Sequence, residues 1–361
     1  MDKLNIALIG CGRIAKNHVE AIANNRDIYN LTALSDIVPE RMEEKAAQCQ
    51  ARTHTAPKLF RDYQELLQDS SIHAVTIATE SGYHAQHVLH ALEVGKHVIV
   101  EKPMALSIQD CNAMIALAQN KNLKLAVSHQ NRYNPAIQQL RKAVEGGRFG
   151  RIINGTAAIR WNRTQNYYAQ APWRGTWALD GGTLMNQCLH NIDLLQWMLG
   201  EDAATVYCQA DTFLRDIEGE DFGAIIVRFK SGAIGIIEGS ACVYPTNLEE
   251  TLGIFGETGT AVIGGLAVNK ISHWRFPNSE VELEEVQRAS QPDPANVYGN
   301  GHNPLFRDFH QAVTQDKAPY IDGKAGKKVV ELVLAAYKSR KEQQPIDLPL
   351  TNFSTLDMEA K

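Results

Sequence analysis

The chain has 361 residues, of which 44% are hydrophobic and 21% charged, and its formal net charge is −5. This length exceeds one ordinary core and predicts two domains, while the lack of a strongly basic segment argues against nucleic-acid binding. No apolar run reaches the roughly 18 residues of a membrane helix, and the apolar stretch after Met1 is shorter than a signal-peptide core, so we expect a cytoplasmic protein without a membrane partner.

The first third of the chain alternates between strand and helix patterns. Apolar runs predict buried strands at residues 6–9, 31–34, 74–78, 97–100 and 123–127. The intervening segments predict helices at residues 14–24, 39–48, 84–93 and 107–119. Strands that alternate with helices of this length indicate βαβ units and a parallel sheet. We therefore predict one α/β domain over residues 1–127.

The pattern changes after about residue 150. Alternating polar and apolar residues predict half-buried antiparallel strands at 152–161, 205–212, 223–229, 234–241 and 251–255. One long helix is predicted over 182–199, and two more over 304–314 and 326–342. Residues 128–361 are thus predicted to form an α+β domain with an open, mostly antiparallel sheet and helices on one face. Because large apolar patches rarely stay exposed, we expect copies of the chain to associate through the other face.

The turn after the first predicted strand has the pattern G-x-G-x-x-A. The first glycine permits a tight turn, the second lets a pyrophosphate approach the backbone, and the helix N-terminus then faces the phosphates. Asp36 ends the second strand, where its carboxylate would bind ribose hydroxyls and repel a 2′-phosphate. The pattern therefore predicts a Rossmann domain that prefers NAD to NADP. The residues of the turn that we expect to contact the cofactor are Gly10, Gly12, Arg13 and Ile14.

Two further motifs carry a family resemblance. Glu101-Lys102-Pro103 follows the fourth strand, and His190-Asn191-Ile192-Asp193 lies in the long predicted helix. With the glycine turn, these motifs strongly resemble the Gfo/Idh/MocA oxidoreductase family over about residues 5–340. The resemblance implies that Lys102 lies beside the nicotinamide and the substrate hydroxyl, with a cis bond before Pro103. The position agrees, because α/β proteins bind ligands at the carboxyl ends of their strands, where a desolvated lysine has a lowered pKa.

Two nearby segments are expected to complete the cofactor pocket. Thr79 and His84 match the family's T-P-N-x-x-H pattern, although the two residues after Thr79 depart from it. The segment from Gln130 resembles the x-x-R-[FY] element, which would place Arg132 near the nicotinamide. For His84 and Arg132, a structural hydrogen bond or ion pair is the alternative. The remaining expected cofactor contacts are Glu101, Lys102 and Gln130. The six cysteines fit neither a zinc ribbon nor a disulfide framework, so we expect reduced thiols and no metal centre.

The long predicted helix would place Asn186, His190 and Asp193 on one face. Polar groups on a partly buried face need a purpose, and a histidine is suited to accept a proton from an alcohol. We therefore predict that Lys102 and His190 form the acid–base pair, with the order between them open, and that Asn186 orients the sugar. The family often has an aspartate where this sequence has Asn186. Asp193 has the alternative of only orienting its neighbours.

Residues 171–177 and 185–197 resemble one branch of the family, the UDP-N-acetylglucosaminuronate 3-dehydrogenases of bacterial surface-polysaccharide synthesis. The resemblance implies oxidation of the sugar C3 hydroxyl by tightly held NAD in a homotetramer. Such a substrate carries a carboxylate and a diphosphate, which basic and hydroxyl groups would bind. The candidates are Arg160, Arg163, Tyr167, Tyr168 and Arg174, and the turn at 301–303 is a further candidate for a place near the sugar. The alternatives are another sugar or polyol dehydrogenase of the family and a non-catalytic NAD-binding regulator.

Overall fold

The computed structural model describes residues 3–200, 202–277, 286 and 301–359. The chain divides into two compact units, and neither is one continuous stretch. The first unit comprises residues 1–105, 109–128 and 302–327, and the second comprises 106–108, 129–301 and 328–361. The chain passes from the first unit to the second after residue 128, next to the predicted domain boundary at 127/128. Residues 302–327 belong to the first unit, whereas the sequence pattern placed them in the C-terminal domain. A local sequence pattern shows that a segment is helical and does not show which core it joins.

The first unit is built on a six-stranded sheet in the order β3-β2-β1-β4-β5-β6, with all its neighbours parallel. Its strands are β1 (Leu4–Ile9), β2 (Tyr29–Ser35), β3 (Lys58–Phe60), β4 (Ala74–Ile77), β5 (His97–Val100) and β6 (Leu125–Val127). This strand order confirms the predicted Rossmann fold. The sequence missed β3, because three residues that are not buried show no periodicity.

Helices of at least four residues follow these strands and recur along the rest of the described chain. They are α1 (Ala15–Asn24), α2 (Pro39–Thr53), α3 (Tyr63–Leu67), α4 (His84–Glu93), α5 (Ile108–Asn120), α6 (Pro135–Glu145), α7 (Gln165–Tyr168), α8 (Gly182–Asn186), α9 (Leu189–Leu199), α10 (His302–Thr314) and α11 (Gly323–Glu342). Among the described residues, no helix has the length and apolar character that crossing a bilayer would require.

The second unit is built on an eight-stranded sheet in the order β13-β12-β11-β7-β10-β9-β8-β14. Its strands are β7 (Ile152–Arg160), β8 (Ala203–Asp211), β9 (Phe222–Phe229), β10 (Ile234–Ser240), β11 (Glu249–Gly256), β12 (Thr260–Gly264), β13 (Lys270–Arg275) and β14 (Ile346–Asp347). Only β7 and β10 pair in parallel within this sheet, which confirms the predicted open, mostly antiparallel sheet. Helix α9 packs on β7, where a Cβ on Gly155 would lie 2.8 Å from Leu195.

The single helix predicted over residues 182–199 is in fact two helices, α8 and α9. The helix breaks where the N–H of Cys188 bonds to the carbonyl of Thr183, five residues back, at 3.1 Å. The break allows Leu184 and Cys188 to pack together on β10, since each side chain comes within 2.8 Å of a would-be Cβ on Gly239. Asn186 therefore ends α8, and it does not share a continuous helix face with His190.

Candidate functional site

The glycine turn has the geometry that a dinucleotide needs. Gly10 has φ +92°, and a Cβ on it would lie 2.6 Å from the carbonyl carbon of Ala78. A Cβ on Gly12 would meet no atom within 4 Å, so its backbone borders open space. Helix α1 begins without a side-chain cap, which leaves its first N–H groups available to phosphate oxygens. Arg13 is exposed and Ile14 half-buried at this helix N-terminus.

Asp36 is fixed beside this turn. Its Oδ2 accepts a hydrogen bond from the N–H of Cys11 at 2.7 Å, and its Oδ1 accepts one from the N–H of Val38 at 2.9 Å. The carboxylate therefore lies at the end of β2, next to the backbone of the glycine turn. This is the position from which an acid reads the adenosine ribose in Rossmann domains. The residues of the turn and Asp36 thus fit NAD.

The two residues taken from the T-P-N-x-x-H comparison are held in a hydrogen-bond network. Buried His84 has its Nδ1 2.7 Å from the carbonyl oxygen of Pro103 and its Nε2 3.1 Å from that of Thr79. Thr79 Oγ1 lies 3.0 Å from Nδ1 of His87. Burial lowers the pKa of His84, so its neutral ring donates to one carbonyl at a time. His84 thereby links the loop after β4 to the loop after β5. These are the structural hydrogen bonds named above as the alternative, and its contact with the cofactor stays a prediction.

The E-K-P motif follows β5, and the peptide bond between Lys102 and Pro103 is cis, as the resemblance implies. Glu101 is buried, with its Oε1 2.8 Å from Nε2 of His18 and 3.5 Å from Nε2 of His302. The backbone N–H of half-buried Lys102 donates to Glu101 Oε2 at 3.3 Å. Sequence reasoning placed residues 301–303 near the sugar, and the structure places His302 against Glu101 within the first unit.

Sequence reasoning missed His18, which is fully buried on α1. The available signal was a polar residue inside the apolar stripe that includes Val19 and Ile22. Three residues of types that bind metals lie close together here. Their potential ligand atoms are within 4.8 Å of one another, and they are His18, Glu101 and His302. Hydrogen bonding accounts for the contact between His18 and Glu101, because a distance of 2.8 Å is typical of a direct N–H···O bond. His302 lies 3.5 Å from the same carboxylate oxygen.

His190 lies at the start of α9 in the second unit. Its Nε2 is 3.3 Å from Nε2 of Gln130, and its ring meets that of His129 edge-on at 5.9 Å between centroids. Gln130 and Arg132 belong to a 3-10 turn at Gln130–Tyr133 and face α9. The Gln130 amide therefore helps to set which nitrogen of His190 carries the proton.

Arg132 and Asp193 form a buried, two-pronged ion pair. Nε and Nη2 of Arg132 donate to the two carboxylate oxygens at 2.8 and 2.6 Å. Burial alone would raise the pKa of Asp193, but the charges of Arg132 and His129 outweigh it and hold that pKa below its usual range. Arg132 thus makes the ion pair named above as its alternative role, and Asp193 orients a neighbouring side chain. A contact of Arg132 with the nicotinamide stays a prediction.

Asn186 is oriented by a residue that the sequence did not single out. Its Nδ2 donates to Oδ1 of buried Asp180, and its Oδ1 accepts from Nε2 of Gln187 at 3.0 Å. Asp180 is itself fixed by the N–H of Gly175 at 2.8 Å. The carboxylate that the family often carries at position 186 is therefore present nearby, on the preceding loop.

Two of the predicted substrate arginines lie together. Arg163 and Arg174 both stack on the ring of Tyr167, at 5.3 and 4.4 Å from its centroid. Arg174 Nη1 donates to the Tyr167 hydroxyl at 2.6 Å, and Arg163 Nε donates to Gln187 Oε1 at 2.8 Å. Gln187 in turn donates to the Tyr167 hydroxyl at 3.0 Å. The two guanidinium groups are therefore connected through Gln187 to Asn186.

The other two predicted substrate residues have different surroundings. Arg160, on β7, is ion-paired with Glu238 at 2.6 Å and Glu249 at 2.5 Å, so its charge is already neutralised. Tyr168 is 6% exposed and packs against the backbone of Gly175. Burial raises the pKa of Tyr168, which keeps its hydroxyl protonated at neutral pH. The sequence could not distinguish Arg160 from Arg163, since partners on other strands decide the difference.

Comparison with known proteins gives consistent results over both units. The profile of the "Oxidoreductase family, NAD-binding Rossmann fold" matches residues 4–129, and that of the "GFO/IDH/MocA C-terminal domain" matches residues 137–262. The solved structure of the WlbA dehydrogenase from Bordetella pertussis, in complex with NADH and UDP-GlcNAcA, is similar with a TM-score of 0.89 and 36% identity. The similarity covers 97% of this chain and 99% of that one.

Two characterised relatives are similar at lower identity. Myo-inositol 2-dehydrogenase of Thermotoga maritima is 24% identical over 360 residues, which cover 96% of this chain and 98% of the relative. Levoglucosan dehydrogenase of Pseudarthrobacter phenanthrenivorans is 27% identical over 334 residues, 84% of each chain. The chain therefore belongs to the Gfo/Idh/MocA family of oxidoreductases and is an NAD-dependent enzyme that acts on sugar or polyol hydroxyl groups.

Proposed function

We propose that this enzyme oxidises the C3 hydroxyl of UDP-N-acetylglucosaminuronate to a ketone, as a step in bacterial surface-polysaccharide (lipopolysaccharide) synthesis. The observation that carries the proposal is the pair Arg163 and Arg174. Neither guanidinium hydrogen-bonds a carboxylate among the residues that the structure describes, and both are linked to Asn186. The similar WlbA dehydrogenase was solved with UDP-GlcNAcA, whose carboxylate is the chemistry that such a pair would bind.

The reaction removes a hydride from carbon and a proton from the hydroxyl oxygen. NAD supplies the hydride acceptor when it is bound. In the proposal, Lys102 hydrogen-bonds the reacting hydroxyl and His190 accepts its proton. Gln130 favours one tautomer of His190, and the Arg132–Asp193 pair fixes the turn that carries Gln130. The reverse assignment of Lys102 and His190 stays open.

Asn186 is proposed to orient the sugar. Its amide is already held by Asp180 on one side and by Gln187 on the other. A group oriented before substrate arrives loses less rotational freedom on binding, so more of its hydrogen-bond energy contributes to affinity. Through Gln187, the same network reaches Arg163 and the Tyr167 hydroxyl. The sugar ring and its carboxylate would thus be positioned by one connected set of side chains.

The carboxylate site is proposed to consist of Arg163 and Arg174. Their stacking on Tyr167 restricts both side chains. Nε and Nη1 of Arg163 already donate to the neutral acceptors of Gln187, Asn162 and Asn247, so an anion would bind this guanidinium at Nη2. Arg174 donates to the Tyr167 hydroxyl through Nη1. Arg160, which sequence analysis grouped with them, is not included, because Glu238 and Glu249 already occupy its donors. A neutral polyol would leave the positive charges of Arg163 and Arg174 without a counterpart, which favours a uronate over an inositol.

We expect Lys102→Ala and His190→Asn each to lower kcat by about 10²–10⁴, the usual cost of losing an acid–base group. The double variant should lose less than the product of the two effects, because the groups act as a unit. The measurement is formation of the 3-keto sugar by purified enzyme with NAD, and a 2-oxoacid is added to regenerate NAD. Bound NAD, measured spectroscopically, should remain in every variant.

The same assay decides between the alternatives. Full activity of His190→Asn would exclude its role as the base. Faster oxidation of inositol or levoglucosan than of any UDP-sugar would replace the proposed substrate with a polyol or simple sugar. If no sugar or polyol yields product, the non-catalytic regulator becomes the better description.

The carboxylate site gives a separate prediction. Arg174→Gln removes one charged hydrogen bond, which contributes about 1.5–3 kcal/mol, so kcat/KM for the uronate should fall by roughly 10–150-fold. The value for UDP-N-acetylglucosamine, which lacks the carboxylate, should change little. Arg160→Gln is the matched control, since its charge is already paired, and it should keep the wild-type preference. An equal loss for both sugars in Arg174→Gln would contradict the assignment.

Asp36 generates a prediction about the cofactor. The wild-type enzyme should prefer NAD to NADP because the fixed carboxylate repels a 2′-phosphate. Asp36→Ala should reduce that preference, as measured by the ratio of kcat/KM for the two cofactors. Equal use of both cofactors by the wild type would show that Asp36 does not determine the choice.

We also propose that copies of the chain associate through the outer face of the second sheet. Ile226 on β9 and Ile236 on β10 are directly paired neighbours, and they are 55% and 48% exposed. Burying such a cross-strand apolar pair against the same pair of a second copy would remove both from water. Light scattering at micromolar concentration should show a dimer or tetramer, and Ile226→Glu should shift it toward monomer. A monomeric wild type would refute the association.

A further inference from the structure

A buried row of polar side chains leads to the E-K-P motif within the first unit. Thr76 Oγ1 lies 2.8 Å from Nδ1 of His18, whose Nε2 lies 2.8 Å from Oε1 of Glu101. His302, from α10, approaches the same carboxylate oxygen at 3.5 Å. All four residues are at most 6% exposed. The second oxygen of Glu101 accepts the backbone N–H of Lys102.

The arrangement determines how the protons are distributed. The Thr76 hydroxyl can donate to Nδ1 of His18, and the N–H at Nε2 of His18 then donates to Glu101. Burial by itself would raise the pKa of Glu101, but the hydrogen bond from His18 and the nearby ring of His302 outweigh it and hold that pKa well below its usual range. Glu101 is therefore a buried anion at neutral pH.

A buried anion is a costly way to stabilise a fold. Replacing buried charged groups with apolar residues of similar volume is often neutral or stabilising, so packing alone does not account for this network. The residue next to Glu101 is Lys102, whose cationic form a neighbouring negative charge favours. The network therefore ends at the backbone of the residue to which acid–base chemistry has been assigned.

We propose that Glu101, held by His18 and His302, is a positioning residue that fixes the backbone of Lys102 and sustains the protonated form of its side chain. This inference rests on the proposed role of Lys102. The titratable groups that face Glu101 from the helices packed around it are His18, His84 and His302. Lys102 follows Glu101 in the chain and contacts it through its backbone N–H. Burial lowers the pKa of His84 and His302, so Glu101 remains the anionic member of the set near neutral pH.

The sign of the expected effect follows from this charge. Glu101→Gln keeps the shape of the side chain and removes its charge, so the pKa of Lys102 should fall by about one unit. The limb of the kcat/KM–pH profile that Lys102 controls should therefore move to lower pH. It is the alkaline limb if Lys102 must be protonated and the acidic limb if Lys102 is the base. We also expect kcat to fall about tenfold.

His310→Gln is the matched control. His310 is also buried on α10, but its ring packs on Tyr29 at 5.6 Å between centroids. The kcat/KM–pH profile of the His310→Gln variant should keep both limbs at the wild-type positions. His302→Gln is the second variant, in case Glu101→Gln does not fold. It removes a ring whose Nε2 lies 3.5 Å from Oε1 of Glu101 and favours the Glu101 anion, so the same limb should move in the same direction by a smaller amount.

The inference is overturned if the limbs stay in place in the folded Glu101 or His302 variant, even where kcat falls, because a purely structural role would act in that way. It is also overturned if His310→Gln moves a limb equally, or if the purified wild type contains one equivalent of metal that Glu101→Gln loses. Full activity of Lys102→Ala would instead refute the proposed function. The two failures are therefore distinguishable.

Discussion

The second unit depends on the buried ion pair between Arg132 and Asp193. A carboxylate this deep in the protein is stable only if its oxygens are filled by donors, and the two-pronged contact with Arg132 fills both. Because Arg132 lies on the turn after β6 and Asp193 lies on α9, the pair joins the two segments that carry Gln130 and His190. Removing one partner would leave a buried charge, which typically costs about 3–5 kcal/mol. The conformation of the proposed base is thus tied to the stability of the fold.

The position of α8 depends on a second buried carboxylate. Glu220 accepts the N–H of Leu184 at 2.6 Å and the hydroxyl of Tyr337 at 2.8 Å, at the N-terminal end of the short helix that carries Asn186. Gly182 permits this approach, since a Cβ there would overlap the carboxylate. Burial raises the pKa of Glu220 to about 7. Its ionised form, which accepts both bonds, therefore predominates only above neutral pH, and these bonds are weakened as the pH falls through that value.

The sequence predicted the two sheets because strand periodicity and glycine turns are local signals. It also singled out Gly10, Asp36, Lys102 and His190 as candidates, since each stands at a fixed place relative to a strand or within a motif. The sequence could not predict the side-chain contacts around these residues. Glu101, next to Lys102, contacts His302, which is far away in the chain and meets it only in the folded unit. The ion pairs of Arg160 depend on strand neighbours in the same way. The break between α8 and α9 depends on packing against Gly239, which no helix pattern contains.

The discontinuity of the first unit has a consequence for synthesis. The hydroxyl of Tyr29 donates a hydrogen bond to the carbonyl oxygen of Phe306, on helix α10, at 2.7 Å. The ring of Phe306 packs against both Tyr29 and His18. These contacts lie in residues 302–327, which leave the ribosome after residues 129–301 of the second unit. The dinucleotide-binding unit thus cannot complete its core while its own N-terminal 128 residues are the only ones available. A domain formed by one continuous stretch can fold as it emerges from the ribosome. This unit can complete its core only after residues 302–327 have been synthesised.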